Sequence, residues 1–169
     1  MFHMTNDSHL FHTREMLAAD GWFEVGLGHW ERGQGERMVP LYVGRMFHQF
    51  DHRYNNVGVN PDNLHNAAIS DAVTDAQKAD PTFTPEPQYW VSWDAVEPQR
   101  DWVLAFRDIA RPTDARTMIA SILPKAGYGN KAPIIEIEEP ISCLLLCANL
   151  NSFVFDFIAR TNPSYSPAG

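Results

Sequence analysis

Cysteine is nearly absent: Cys143 and Cys147 are the two in 169 residues. So few exclude a disulfide framework and a four-ligand zinc site. The chain has no uninterrupted apolar run of the roughly 18 residues a membrane span needs. The nearest candidate, residues 141–159, is broken by Asn149, Asn151 and Asp156 and reads as a core segment. The start, Met1-Phe-His-Met-Thr-Asn-Asp, has neither the basic residues nor the apolar stretch of a secretory signal. A reduced, cytoplasmic setting away from membranes is the expectation. Internal repeats and low-complexity tracts are also missing. What is present is a globular composition, 44% hydrophobic and 12% aromatic, at a length suited to one domain over residues 1–169.

Basic excess is lacking too, since 13 Lys and Arg face 21 Asp and Glu for a net charge of −8. That balance opposes a nucleic-acid partner only if it is uniform, and it is not. Residues 60–99 hold one basic and seven acidic side chains, whereas residues 100–131 hold six basic and three acidic. Affinity for DNA comes from phosphates neutralised at the contact, so one basic face in an acidic chain suffices.

The pattern predicts a mixed α+β domain with a mostly antiparallel sheet, a short N-terminal helix and C-terminal packing helices. Thr13 can cap a helix over 14–20, and Gly21 can stop it. Strands follow near 22–25 and 29–32, and the Gly33-Gln34-Gly35 turn leads into a third over 38–43. Residues 44–54 alternate as a strand would, although Met46, Phe47 and Phe50 also fit a helical face. Residues 55–88, acidic and punctuated by Asn-Pro, Asp-Pro and Pro-Glu-Pro, read as a long loop or insertion with one weak helical window at 67–78. Strands are predicted over 89–93, 102–109, 117–123 and 133–137. Pro140 opens the strongest helix. Leu144, Leu145, Leu150, Val154, Phe157 and Ile158 are expected to bury one side of it, with a break at Asn149-Leu150-Asn151. Residues 161–169 read as a flexible tail.

Four patterns invite chemistry. His48, Asp51 and His52 have the residue types of a metal site, but on a strand the two histidines sit too far apart to chelate one ion easily. Glu136 and Glu138 resemble half of a nuclease core. No Glu-x-Lys accompanies them, so they read as the exposed face of an edge strand. The glycines at 26, 28, 33 and 35 have the wrong spacing for a dinucleotide site. Asn162-Pro-Ser-Tyr165 resembles the adenine-gripping motif of amino-methyltransferases. That motif works at the end of a strand in a cofactor-binding sheet, which this chain does not contain.

The basic segment is more informative. Arg107, Arg111, Arg116, Lys125 and Lys131 punctuate it together with Thr113 and Asn130. Arginine's planar fork suits phosphate and guanine, while hydroxyl and amide groups add shorter-range bonds. On composition alone, alternation of these arginines with aspartates favours surface ion pairs.

Three blocks bear on that choice: residues 40–53 (PLYVGRMFHQFDHR), 102–124 (WVLAFRDIARPTDARTMIASILP) and 144–160 (LLLCANLNSFVFDFIAR). In this order they resemble the target-recognition region of large adenine-specific DNA methyltransferases of restriction–modification type, similar to TaqI-like C-terminal specificity domains. The likeness rests on these three blocks. It implies a piece of a larger enzyme whose S-adenosylmethionine-binding catalytic domain lies elsewhere in the polypeptide, with no cofactor and no catalytic residue in this chain. Double-stranded DNA and that methyltransferase domain would be its partners. Residues 55–88 and the tail after Arg160 depart from the pattern. The DNA face implied gathers Arg107, Arg111 and Arg116 around a turn at Pro112-Thr113-Asp114. Arg45 and Arg53 would join it, with Gln49 and His52 as base-edge readers, and His48, Thr113, Lys125 and Asn130 complete the candidate DNA-binding set. Two other readings stand beside it: a metal-dependent hydrolase built on His48, Asp51 and His52, and a protein-interaction domain using the five tryptophans and the acidic 60–99 stretch.

Overall fold

The computed structural model describes residues 1–33, 35–58, 70–96, 100–109 and 114–161. In chain order the elements are α1 (Arg14–Ala19), β1 (Phe23–Gly26), β2 (His29–Arg32), β3 (Glu36–Tyr42), β4 (Asn55–Val57), β5 (Ser70–Ala72), α2 (Asp75–Ala79), β6 (Trp90–Ser92), β7 (Trp102–Phe106), β8 (Ala120–Pro124), β9 (Gly127–Tyr128), β10 (Ile134–Ile135), α3 (Pro140–Leu150) and α4 (Phe153–Thr161). The fold is α+β with mostly antiparallel pairing. One sheet runs β1-β2-β3-β6 with β9 joining β3 in parallel, a second runs β10-β7-β8, and β4 pairs with β5.

Local chemistry explains the N-terminal half. The Thr13 hydroxyl accepts from the Met16 N–H at 3.3 Å and caps α1, and Gly21 takes the left-handed backbone at φ +77° that ends it. Leu27 and Gly28 form the β1–β2 turn with φ of +53° and +70°, both positive as the tight hairpin requires. The Arg14 guanidinium forks onto Glu86 at 2.6 and 2.7 Å and reaches Glu24 at 2.9 Å. It also lies over Trp30 and Trp90, tying α1 to the chain that precedes β6.

β7 is buried on both faces, which its unbroken apolar sequence anticipates. Val103 and Ala105 point into a core with Tyr42, Met46, Phe47, Leu123 and Tyr128. Leu104 points the other way, into a core with Met118, Ala120, Cys143, Cys147, Leu150 and Ala159. The second core is the seam between this sheet and the two C-terminal helices.

Several expectations are corrected. Residues 44–54 are not a strand: Gly44–Met46 is one 3₁₀ turn, and the chain then folds back through a tight turn at His48–Asp51. Met46 and Phe47, consecutive residues, are both fully buried, which the two-sided alternation of a strand does not allow on one core. Residues 55–88 contain β4, β5 and α2, the last with a complete capping box between Thr74 and Gln77. The Arg53 guanidinium holds the end of this stretch by donating to the carbonyls of Lys78, Asp80 and Phe83. Of the helical window predicted over 67–78, residues 67–69 lie outside the described residues, Ser70–Ala72 is β5, and the helix starts at Asp75. β8 starts at Ala120 rather than Thr117, because the N–H groups of Thr117 and Met118 donate to Asp156.

The largest correction concerns α3 and α4. Of the six residues expected to bury one side, only Leu150 is buried; Leu144, Leu145, Val154, Phe157 and Ile158 are exposed. Cys143, Cys147 and Ala159 take the inner face instead, because small side chains let the helix backbones lie close to β7 and β8. Burial raises both thiol pKa values, away from the reactive thiolate. Among the described residues no single helix is long and apolar enough to cross a membrane; α3 and α4 meet that test only together, bent by 59°.

Candidate nucleic-acid interface

The three sequence blocks meet at one place. The loop 47–51 lies against the start of β8 and the α3–α4 junction, and polar side chains lock the three together. Arg116 donates to the Gln49 Oε1 at 3.2 Å and to the Asn151 carbonyl at 2.9 Å. Gln49 donates to the carbonyls of Met118 and Asn151. Buried Asn151 bonds Ala120 in both directions, accepting from its N–H at 3.0 Å and donating to its carbonyl at 2.8 Å. Asp156, also buried, accepts from the N–H groups of Thr117 and Met118 at 2.6 and 2.8 Å. Asn151 thus acts as a substitute strand edge for Ala120, whose N–H would otherwise be buried unpaired, and Asp156 does the same for Thr117 and Met118 just before β8.

Arg107 and Arg116 reach the same loop from two directions. Both Nε and Nη2 of Arg107 donate to the Phe47 carbonyl, at 3.0 and 2.5 Å, and burial lowers this guanidinium's pKa. The Arg116 guanidinium stacks on Phe153 at 4.1 Å and lies 3.7 Å from Asp156. These two arginines therefore spend donors on the protein, and Gln49 does the same. Arg111 and Thr113 lie outside the described residues, as do most of the expected turn and the motif at Asn162–Tyr165.

Arg45, His52, Arg53 and Lys125 line two clefts. One, of about 640 Å³, has Arg45, Arg107 and Lys131 on its walls with Asp114, Ser70 and Gln88. Gly44 explains how it forms: a Cβ there would meet the Lys131 carbonyl oxygen at 2.8 Å, so only glycine lets the 44–46 turn lie against residue 131. Lys131 pairs with Asp108 across an exposed surface. Asn130, beside it in sequence, donates its N–H to the Phe2 carbonyl, and its buried Oδ1 has no partner among the described residues. The other cleft, of about 550 Å³, has His52, Arg53 and Lys125 among Tyr42, Phe83 and Trp93. Lys125 sits 4.5 Å from the Trp93 ring.

His48 and His52 are both held towards the neutral form. Burial lowers the pKa of His48, assisted by Arg107, and also that of His52, assisted by Arg53. His48 stacks on Tyr54 at 4.6 Å. Asp51 is taken up by Lys78 at 2.5 Å and by the Arg53 N–H. Among the described residues no three His, Cys, Asp or Glu side chains gather as a metal ion would need. The sequence reading missed Asn151 and Asp156 as organisers of the site, although polar residues interrupting an apolar helical run were the visible signal. Lys131 belonged to the basic segment but not to the candidate set.

No protein-family model, curated protein or solved structure matches this chain.

Proposed function

We propose that this chain is a DNA-recognition module of an adenine-specific restriction–modification methyltransferase, positioning duplex DNA for a catalytic domain elsewhere in the polypeptide. The observation that carries the reading is the junction just described. The three blocks that resemble target-recognition regions, separate in sequence, are joined through Gln49, Arg116, Asn151 and Asp156. The division of labour follows from the geometry. Arg107 and Arg116 shape the loop, while Arg45 and Lys131 at the larger cleft supply charge for phosphates. Neutral imidazoles at His48 and His52 have one donor and one acceptor each for base edges. S-adenosylmethionine belongs to the catalytic domain in this reading, the compartment is the cytoplasm, and no micromolar binding of that cofactor to this chain is expected by calorimetry.

The test is a salt titration of duplex DNA binding, followed by fluorescence anisotropy, for the wild type and for Arg45→Ala and Lys131→Ala. Weak binding is expected, with a log–log salt slope that falls by about one for each phosphate contact removed. Binding that ignores salt, or slopes identical in all three proteins, would refute the placement of the DNA face.

A further inference from the structure

We propose that the outer face of α3 and α4 is a self-association surface, on which a second copy of this chain docks about a two-fold axis. The inference does not depend on the DNA reading. Ile141, Leu144 and Leu145 of α3 and Val154, Phe157 and Ile158 of α4 are each 58% to 71% exposed. On each helix these residues recur three and four apart, so each set forms one stripe. Both helices turn their small buried residues, Cys143, Cys147 and Ala159, to the same core over β7 and β8. Their two stripes therefore look outward together, as one surface. With Phe153 at its centre, 81% exposed, the surface offers roughly 800 Å² of apolar area by ordinary side-chain sizes. That exceeds the largest apolar patch of a typical monomer and equals one partner's share of a standard interface.

Charge selects the occupant. No charged side chain occurs from Pro140 to Phe155, in a chain whose net charge is −8. The Arg116 guanidinium that lies on Phe153 is paired with Asp156 at 3.7 Å, so two such chains, which repel over most of their surfaces, meet here with little like-charge contact. A two-fold axis through the α3–α4 bend lays α3 of one copy on α4 of the other, helices of 11 and 9 residues. It also brings Glu138 and Glu139, at the start of α3, towards the partner's Arg160 at the end of α4. A lipid surface suits the patch less well. Interfacial helices carry Lys and Arg on their flanks, whereas Glu136, Glu138 and Glu139 precede α3 and Arg160 is the one basic residue from 132 onward.

The experiment is sedimentation equilibrium of the purified chain across the micromolar range, repeated at high salt. The expected result is a species of twice the 19.2 kDa chain mass that survives salt able to strip DNA. Leu145→Glu and Phe157→Glu each place a charge on the exposed face without touching the core. Circular dichroism should confirm their fold, and the dimer Kd should rise at least about thirtyfold, the size of a hot-spot loss. Phe23→Glu, at an exposed apolar residue of β1, should leave the dimer unchanged. A wild-type mass of 19.2 kDa throughout would overturn the proposal. So would a dimer untouched by both helix variants, a monomer that binds anionic vesicles, or a monomer whose face is taken by a different protein.

Discussion

Replacing Asn151 by alanine tests the idea that the α3–α4 junction completes β8. The side chain is 4% exposed residue by residue and forms two hydrogen bonds with Ala120. The Ala120 carbonyl keeps a second donor, the Phe50 N–H at 3.2 Å, so it stays paired after the change. The Ala120 N–H donates to Asn151 Oδ1 and would be left buried without that acceptor. Losing the bond to the Ala120 carbonyl costs about 1 kcal/mol, and orphaning the buried Ala120 N–H costs about 1–3 kcal/mol, so a destabilisation of about 2–4 kcal/mol is expected. Urea unfolding followed by tryptophan fluorescence and circular dichroism would measure it, with unchanged m-value as evidence that the unfolded reference is the same. Asn151→Asp sharpens the test. It retains an acceptor for the Ala120 N–H but turns a carboxylate towards the Ala120 carbonyl. Its deficit should therefore shrink as the pH is lowered and the buried acid protonates. A loss below about 0.5 kcal/mol for Asn151→Ala, the range of ordinary surface changes, would show that the junction does not complete the strand.

Three further outcomes are expected. Burial lowers the pKa of His29 and His48. Their contribution to stability is therefore complete above the unfolded value near 6.5 and is lost as the pH falls from there through the folded values; thermal melts at pH 7.5 and 5.5 should differ less in a His29→Asn, His48→Gln double variant than in the wild type. Gly44→Ala should destabilise by about 1–3 kcal/mol, because its Cβ would sit 2.8 Å from the Lys131 carbonyl oxygen, and a melting temperature equal to wild type would contradict that contact. Arg53→Ala removes the donors on three carbonyls that follow α2, so limited trypsin digestion at Lys78 should speed up by about tenfold through easier local opening.

The elements whose cause is local were legible in the sequence. Thr13 with Gly21 bounded α1, the glycine turn after Arg32 led into β3, and Pro140 opened α3 behind the cap of Glu139, whose carboxylate accepts from Ile141 and Ser142. β7 could be seen as a strand because β-branched and aromatic residues ran without a break. Such cues act within a few residues, through backbone angles, caps and side-chain period, so they survive without tertiary context. The polar residues that interrupt the apolar C-terminal run were visible too, yet their partners were not. Asn151 bonds a residue 31 positions away and Asp156 one 39 away, and no short-range pattern encodes which backbone groups will be left unpaired.

Tertiary structure alone decided the rest. Residues 44–54 fit strand and helix about equally, and the need to bury Met46 and Phe47 together against Tyr42 and Tyr128 made them a turn. By composition the arginines of the basic segment read as phosphate contacts or as partners of the neighbouring aspartates. Two of them instead neutralise carbonyls that folding strips of water at Phe47 and Asn151, a demand that exists only once the chain is packed. For α3 and α4 the apolar residues themselves were plain to see, but not which of them face the core. The sheet accepts the small side chains because they allow close approach, and it leaves the large ones outward. Hydrophobicity sets how much surface a chain needs to bury, whereas the shape of the opposing layer chooses which residues bury it.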